Sequence, residues 1–272
     1  MDEWQSDRLD LDAYLERIGV TGDLPVSPAT LTRVNRAHAL SLPFENLDVV
    51  LGRGVDVDLD AIQAKLVRGG RGGYCYEQNL LYGAAVERLG FTVTRLIART
   101  DLDAPRPRPR THMTLLVHLD GGTYLTDVGF GNDGPTEPVP LVDGAEVVQS
   151  GTRYRVTREP APGRWLLARH RVDHWFPLYR FTDEPHHQVD VVVANHFIST
   201  HPRSPFVGRV YLGRITDDWR LNLNDRVLTL VRPDGAEERS EVTDAEVPAL
   251  LRERFGLRLS AEDTAKIVAA LP

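Results

Sequence analysis

The spacing of hydrophobic residues changes near residue 90, from a helical period to the alternation that is typical of strands. Before that point, the first apolar stripe ends at Gly19 and consists of Leu11, Tyr14, Leu15 and Ile18. Ser27 and Asp58 are typical N-caps for two further helices, and a fourth helical pattern runs over residues 75–90. Residues 1–90 are therefore predicted to form a helical bundle.

After residue 90, short segments alternate apolar and polar side chains between turn signals, as antiparallel strands do. The alternating segments are residues 91–97, 114–117, 123–128 and 153–156. Asp120-Gly121-Gly122 predicts a hairpin turn between two of them. We predict an α+β fold with three parts: the bundle over 1–90, a β-barrel-like domain over 91–205, and an α/β lid over 206–272, where strand and helix patterns mix.

Composition and charge limit the cellular compartments and the classes of partner that this protein is expected to have. The chain of 272 residues has a formal net charge of −7, which argues against general nucleic-acid affinity. Its single cysteine excludes an intramolecular disulfide framework, and no histidine pair has zinc-site spacing with further ligands, so we expect no metal. The acidic start lacks a signal-peptide pattern, and no apolar run approaches the roughly twenty residues that span a bilayer. We expect a cytoplasmic protein that does not enter the membrane.

Cys75 is the only cysteine, and it lies between a glycine-rich bend, Arg71-Gly72-Gly73-Tyr74, and a helix-forming stretch. Backbone N–H groups at a helix start lack partners and carry a positive partial charge, so they favour thiolate over thiol. A free cysteine can also be a small buried hydrophobe with no chemical role. The Gly-Gly bend favours the interpretation of Cys75 as a nucleophile.

A thiolate nucleophile needs an imidazole partner, because the pKa of imidazole lies near working pH. Nine histidines compete for this role. His112 opens an apolar strand directly after a loop, where catalytic groups are commonly presented. By contrast, His170, His174, His186 and His187 lie in polar segments that are typical of a surface.

Asp127 is the candidate third member, because a carboxylate inside an apolar strand is costly to bury unless it is paired. It would fix the tautomer of His112. The hairpin register is a difficulty for this interpretation. A two-residue Gly121-Gly122 loop would place Asp127 opposite Leu116, about 13 Å along the strand from His112. A bulge, a different loop or another strand pairing is needed to close that distance.

Arg106, Arg108 and Arg110 alternate with prolines shortly before His112. Guanidinium groups suit bidentate phosphate contacts, and proline limits the entropy that is lost when a loop becomes ordered. This segment is therefore a candidate phosphate-binding loop. A solvated polar loop with exposed arginines is the alternative interpretation.

Four motifs occur together in this chain: Leu42-Pro43-Phe44-Glu45-Asn46-Leu47-Asp48, Arg71-Gly72-Gly73-Tyr74-Cys75-Tyr76-Glu77, Thr111-His112-Met113 and Asp127-Val128-Gly129-Phe130-Gly131. In order and approximate spacing they resemble the motifs of the arylamine N-acetyltransferases. The segment from Asn195 to Phe206 adds a fifth match, which is similar to the bacterial members. The resemblance covers almost the whole chain.

The resemblance implies a cysteine-protease-like catalytic core with a triad of Cys75, His112 and Asp127. It also implies that Arg71 pairs with Glu45, with Asp48 as a further candidate, and so braces the active-site bend. The implied chemistry is ping-pong transfer, in which acetyl-CoA acetylates Cys75 and coenzyme A leaves. An aromatic amine, hydrazine or N-hydroxyarylamine then takes the acetyl group, as in xenobiotic metabolism.

For the substrates, the resemblance suggests apolar walls for a flat acceptor and a path for the donor. Phe44, Phe130 and Phe206 are the candidate walls, although any phenylalanine can be plain core. Gly129, Phe130 and Gly131 are the candidate contacts of the pantetheine arm, and the three arginines of the loop are the candidate contacts of the phosphates. Beyond these small molecules, a homo-oligomer is the one partner left open.

Three alternative functions remain open at the level of the sequence. An amide synthase of the same superfamily, which releases a polyketide, would use the same triad but would not need free acetyl-CoA. A thiol hydrolase or transglutaminase-like enzyme would discharge the acyl-cysteine with water or a peptide amine. A binding or sequestering module would carry a degenerate site, and its cysteine would react with iodoacetamide no faster than a free thiol.

Overall fold

The computed structural model describes residues 3–100, 102 and 104–272. Two helices of this part of the chain continue as π-helix, α4 through Gln63–Arg68 and α7 through Leu250–Arg254. The α-helices are α1 (Leu11–Ile18), α2 (Pro28–Ser41), α3 (Leu47–Val50), α4 (Leu59–Ile62), α5 (Cys75–Arg88), α6 (Gln188–Thr200), α7 (Val247–Ala249) and α8 (Ala261–Ala270). None of the helices in the described ranges is long and apolar enough to cross a membrane.

The strands pair in antiparallel fashion throughout the three sheets. They are β1 (Phe44–Glu45), β2 (Thr92–Ala98), β3 (His112–Leu119), β4 (Gly122–Thr126), β5 (Val139–Pro140), β6 (Glu146–Gln149), β7 (Thr152–Arg158), β8 (Arg164–Arg171), β9 (His174–Thr182), β10 (Tyr211–Ile215), β11 (Arg220–Asn224), β12 (Val227–Val231) and β13 (Glu237–Glu241).

The first helices begin and end at the residues that the sequence indicates. Ser27 accepts a hydrogen bond from the Thr30 N–H at 3.1 Å and so caps α2. Asp58 does the same for the start of α4, where the Asp60 N–H lies 2.9 Å away. Gly19 ends α1 with a φ of +71°, a conformation in which glycine has no steric penalty. These predictions are confirmed.

One strand of the N-terminal region belongs to the C-terminal sheet. β1 pairs with β10, and the order of that sheet is β1-β10-β11-β12-β13. The two residues of β1 are too few to produce an alternating pattern, so the sequence analysis found no strand in the first ninety residues. Through β1, the segment that precedes the bend at Cys75 is tied to the last third of the chain.

The predicted closure of residues 91–205 into a barrel is wrong. The strands form two open four-stranded sheets, β2-β3-β4-β5 and β6-β7-β8-β9, which an isolated bridge between Arg99 and Arg180 joins at one edge. At the other edge, β5 has only two residues and ends with Pro140, which has no N–H to donate to a further ladder. The inner faces of both sheets still share one apolar core, with Leu116, Leu125, Tyr154 and Leu167 fully or almost fully buried.

Helix α6 follows the strands in sequence but packs with the helices of the N-terminal region. Its Val191 and Ile198 belong to a second core, which the first helices build with the opposite face of β3. The start of α5, the start of β3 and the end of β4 all border this core. Cys75, His112 and Asp127 lie at or directly after these three element ends.

Candidate active site

Cys75 is the first residue of α5, and hydrogen bonds on either side hold the bend before it. The Tyr74 N–H donates to Glu77 Oε2 at 3.0 Å, which satisfies one of the free donors at the helix start. The Gly73 carbonyl accepts from the Glu45 N–H at 3.1 Å, which joins the bend to β1. Cys75 is 4% exposed, and its Sγ lies 3.7 Å from the carbonyl oxygen of Thr111.

Gly129 allows the segment after β4 to lie directly on the start of α5. A Cβ at this position would lie 2.8 Å from Cys75 Cα and 2.7 Å from Asn79 Nδ2. Contacts that short do not occur between packed atoms. The glycine is therefore required by the close approach of two backbone segments, one of which carries Asp127.

His112 and Asp127 meet because the hairpin turns earlier than the sequence analysis assumed. Leu119 pairs with Gly122, so the loop residues are Asp120 and Gly121, and the last pair of the ladder joins Leu115 and Thr126. Continued by one residue, this register brings Asp127 level with Thr114, two residues nearer to His112 than the predicted register. The chain leaves the sheet at that point, and Asp127 Oδ2 lies 2.6 Å from His112 Nε2. The predicted register is wrong, while the two side chains do pair.

Asn79, which the sequence analysis did not single out, holds Asp127 from one helical turn beyond Cys75. Its Nδ2 donates to Asp127 Oδ1 at 3.1 Å and to the Met113 carbonyl at 2.8 Å, and its Oδ1 accepts from the Val128 N–H at 3.2 Å. The Gly129 N–H adds a further hydrogen bond to Asp127 Oδ1 at 2.9 Å. The signal in the sequence was a polar residue four positions after Cys75, one helical turn along α5 and on the same side of the helix.

The histidine is held in its charged form. Burial alone would lower the pKa of His112, but the charge and hydrogen bond of Asp127, with smaller contributions from a hydrogen bond and the charge of Cys75, outweigh it and raise the pKa from 6.5 to about 10. With Nε2 engaged by Asp127, Nδ1 is the ring nitrogen available to Cys75. The arrangement therefore places a charged imidazolium beside Cys75.

A buried cluster of charges lies beneath the bend. Arg71 contacts Glu45 at 2.7 Å and Asp48 at 3.3 Å, so the ion pair that the resemblance implied is present. Lys65, which the sequence analysis missed, lies 2.6 Å from Asp48 and 2.7 Å from Glu77. Burial raises the pKa of Glu77 to about 7, and the charge of Lys65 offsets only part of that effect. Because Glu77 also caps Tyr74, the cluster is connected directly to the start of α5.

The three candidate phenylalanines divide between two aromatic groups. Phe130 packs edge-on against His112, with ring centroids 4.9 Å apart, and Tyr179 contacts both rings. Phe44 and Phe206 lie 5.8 Å apart in a second group. Gly131, at a φ of +73°, follows Phe130, and a Cβ on it would lie 3.4 Å from the Phe44 ring. Phe130 thus covers the histidine, and the other two rings pack against each other and against Tyr211.

Two clefts meet at Thr111, the residue whose carbonyl faces Cys75. The first encloses about 560 Å³ and is lined by the proline–arginine loop, including Arg106 and Arg108, and by Phe197. The second encloses about 630 Å³ and extends from Arg110 along α6. An apolar helix side and a cationic loop therefore flank Thr111.

A third cavity, of about 330 Å³, lies behind the same loop and is lined by five arginines. They are Arg99, Arg108, Arg110, Arg164 and Arg180. Burial lowers the pKa of the Arg99 guanidinium, and the positive charges of Arg110, Arg180 and Arg164 lower it further, which shows how closely these cations converge. Arg106 lies in the first cleft instead. Sequence reasoning found the loop arginines but not the three that β-strands and the β2 end contribute.

The described residues contain no group of three or more His, Cys, Asp or Glu side chains arranged to hold a metal ion. His174 and His187 are exposed, as the sequence analysis expected. His38 is completely buried.

Comparisons with known proteins point to one family. A family model described as N-acetyltransferase matches residues 28–264. The chain is 42% identical over 258 residues to an arylamine N-acetyltransferase of Mycolicibacterium smegmatis, a match that covers 92% of this chain and 93% of that protein. The solved structure of the arylamine N-acetyltransferase from Mycobacterium abscessus superposes with a TM-score of 0.93 at 38% identity, over 98% of this chain and 96% of that one. The Mycobacterium marinum enzyme in complex with CoA gives a TM-score of 0.89 at 36% identity, over 96% and 98% of the two chains.

Proposed function

The chain belongs to the arylamine N-acetyltransferase family, and we propose that it carries an acetyl group from acetyl-CoA through Cys75 to an aromatic amine, hydrazine or N-hydroxyarylamine. The observation that carries the proposal is the contact set around the thiol. Cys75 lies at a helix start, it contributes to the raised pKa of His112, and His112 Nε2 lies 2.6 Å from Asp127 Oδ2. These are the parts that nucleophilic acyl transfer needs.

In the first half-reaction, the Cys75 thiolate attacks the carbonyl carbon of the acetyl thioester. The backbone N–H of Cys75 lies in the first turn of α5, where donors have no helical partner, and it stabilises the oxyanion. The bond from the acetyl carbon to the CoA sulfur then breaks, and His112 donates its proton to the departing sulfur. Since one thioester replaces another, the step needs only modest electrostatic help.

In the second half-reaction, the nitrogen of the acceptor attacks the acetyl-cysteine. His112, now neutral, takes the N–H proton of the amine, and the bond between the acetyl carbon and Sγ breaks. The products are the N-acetylated amine and the original thiolate beside an imidazolium. Asp127 keeps the ring in one orientation throughout, because its two oxygens are themselves held by His112, Asn79 and Gly129.

We further propose that this arrangement is a cysteine-protease-like core, with the nucleophile at a helix start, the histidine at the start of β3 and the carboxylate directly after the paired strand β4. The three-part division at residues 90 and 205 is retained as a proposal for the domain boundaries. A thiolate that must stay free of disulfides suits a reducing compartment, which favours the cytoplasm.

For the donor, we propose that the CoA phosphates bind the arginines of the loop and of the third cavity. Thr111 faces the thiol, and Arg108 lies three residues before it, about 9 Å away along an extended proline-rich chain. Strands supply Arg164 and Arg180, so part of the cationic surface is rigid before any ligand binds. We propose that the pantetheine arm contacts Gly129, Phe130 and Gly131.

Two donors that differ only in the nucleotide test this assignment. With acetyl-CoA, Arg99→Ala and Arg180→Ala are expected to raise KM by about tenfold each, a typical value for the loss of a charge-assisted phosphate contact. With the phosphate-free thioester S-acetyl-N-acetylcysteamine, the same variants should match the wild type. Arg239→Ala, an exposed arginine of β13, is the control. Equal KM changes with both donors would contradict the phosphate assignment.

For the acceptor, we propose that Phe44, Phe130 and Phe206 wall the site beside the thiol. Phe130 already packs on His112, so a flat amine that approaches Cys75 would meet its ring first. The tilted Phe44 and Phe206 rings offer an apolar surface on the adjoining side. Phe206→Ala is expected to raise KM for a bulky arylamine more than KM for hydrazine itself.

Mass spectrometry after mixing with acetyl-CoA is the decisive experiment for the proposed function. We expect one acetyl group at Cys75, none in Cys75→Ser, and loss of the label when an arylamine is added. Acylation that only water or a peptide amine discharges would favour a hydrolase or transglutaminase-like enzyme. No acylation by free acetyl-CoA would favour an amide synthase.

A further inference from the structure

A chain of three buried polar side chains ends at the bend that presents Cys75. Tyr14, His38 and Gln78 come from three different helices, and each is 0% exposed. Gln78 lies one turn after Cys75 on α5, and its carboxamide points back toward the bend. None of the three takes part in the acyl transfer steps above.

The hydrogen bonds among these three side chains are compatible with only one assignment of donors and acceptors. Gln78 Nε2 lies 2.9 Å from the Pro43 carbonyl and 3.3 Å from the Gly73 carbonyl, and since carbonyls only accept, this atom must be the donating amide nitrogen. Gln78 Oε1 is therefore the atom 2.7 Å from His38 Nε2, which must carry the proton. His38 Nδ1 is then the acceptor for the Tyr14 hydroxyl, 2.9 Å away.

The two carbonyls that Gln78 binds belong to the backbone contact that shapes the bend. The Gly73 N–H donates to the Pro43 carbonyl at a long 3.4 Å, and the Glu45 N–H donates to the Gly73 carbonyl at 3.1 Å. Both carbonyls thus have a backbone partner already, so Gln78 is not needed merely to satisfy them. It adds a second hydrogen bond to each carbonyl, and so bridges the backbone segment at Pro43 and the segment at Gly73.

Such a bridge matters here because Gly72 and Gly73 have no side chains that could pack and hold the bend. A Cβ on Gly72 would lie 2.0 Å from the Pro43 carbonyl oxygen, so larger residues do not fit at this contact. Glycine backbone has more conformational freedom than any other residue, and its position must be fixed by hydrogen bonds. The Gln78 amide supplies two of them.

We propose that Gln78 is a positioning residue for Cys75, and that His38 and Tyr14 hold its carboxamide in the orientation this requires. The inference rests on the proposed function for its catalytic consequence but concerns the geometry of the thiol. Burial keeps the His38 ring neutral, since it lowers the pKa to about 3, so the tautomer and the amide orientation persist across the working pH range.

Alkylation of Cys75 by iodoacetamide as a function of pH tests the proposal without relying on acyl transfer. Gln78→Met has nearly the same volume but cannot bind the carbonyls. We expect alkylation about tenfold slower than in the wild type and a pH profile shifted upward, with the rate of acetylation by acetyl-CoA reduced to a similar extent. A wild-type alkylation rate and profile in Gln78→Met would overturn the proposal.

Gln149→Met is the matched control, because Gln149 is also buried and makes three hydrogen bonds to backbone, at Thr136 and Glu137. It should lose stability without any change in thiol reactivity. An equal slowing in both variants would mean that buried glutamines act only through general packing, and would overturn the assignment to Gln78.

Tyr14→Phe provides a second route if Gln78→Met does not fold. It removes one hydroxyl, and it is expected to slow alkylation by about threefold, as for one hydrogen bond of modest net strength. Unchanged alkylation in Tyr14→Phe would remove Tyr14 and His38 from the proposal. Where both variants fold, the double variant should be no slower than Gln78→Met alone, since Tyr14 acts through Gln78, and additive slowing would contradict that order. If alkylation responds as expected but no variant or wild type is acetylated, the proposed function fails while the positioning role stands.

Discussion

Gly129→Ala is the most direct test of the geometry around the thiol, because it adds one methyl group where two backbone segments touch. The added Cβ would lie 2.8 Å from Cys75 Cα, about 0.6 Å short of the 3.4 Å at which ordinary contact begins. Its φ is not in the left-handed region, so the change acts through space and not through backbone strain. The start of α5 must move away from Asp127 by about that distance.

Two consequences of different size follow from that displacement. Forcing a methyl group into packed atoms is expected to cost about 1–3 kcal/mol of unfolding free energy, which urea denaturation measures. Because a shift of about 1 Å between reacting groups can cost on the order of a hundredfold in rate, 0.6 Å is expected to slow acetylation of Cys75 on the order of tenfold. Stopped-flow measurement of CoA release in the first turnover follows that step directly.

Gly121→Ala is the control for this experiment. Gly121 lies in the turn of the β3–β4 hairpin, which precedes Asp127, and a Cβ at Gly121 would have no atom within 4 Å. We expect wild-type rates and a stability change within about 0.5 kcal/mol. If Gly129→Ala acetylates Cys75 as fast as Gly121→Ala, then the close approach of the two segments does not control the thiol, and the reasoning fails.

Three further changes have defined outcomes. Asp127→Asn removes the carboxylate that raises the pKa of His112 to about 10, and we expect acetylation to fall on the order of a thousandfold with the fold intact by circular dichroism; near wild-type turnover would contradict the triad. The pKa of His38 is lowered from 6.5 to about 3, mainly by burial. Between these two pH values, His38 is therefore protonated in the unfolded chain and neutral in the folded chain. Stability should therefore fall as pH drops below 6.5, by up to about 1.4 kcal/mol per pH unit, and His38→Gln should show a shallower slope in urea titrations between pH 7 and 5. Val172 is 98% exposed and has a φ of +47°, so Val172→Asn is expected to raise the unfolding free energy by about 1 kcal/mol, and an unchanged or lower value in thermal melts would count against backbone strain there.

The local features of the chain could be predicted because they depend on neighbours in sequence. The caps at Ser27 and Asp58, the end of α1 at Gly19 and the start of α5 at Cys75 each involve residues within one helical turn. Family membership was also accessible, because four motifs in order are far more specific than any one of them. The comparisons confirm it.

The predictions that failed depended on contacts between distant segments. A hairpin loop that starts one residue earlier, at Asp120, was enough to bring Asp127 two residues closer to His112. The barrel did not close, because the short strand at Val139–Pro140 offers no further ladder. Neither outcome has a clear periodic signal, since both depend on how a few residues at a turn or an edge are paired.

By itself, the sequence determined the first helices, several of the strands, the family and the place of the single cysteine at a helix start, because these follow from local spacing and from motifs. Only the tertiary structure decided which polar groups support that cysteine. These supporting contacts join residues from separate elements. They are the contacts of Asn79 with Asp127, of Lys65 with Glu77 and of His38 with Gln78, and the cavity that the strand arginines share with the loop. A buried polar group needs a partner of matched geometry, and which partner it finds is settled by how the elements pack.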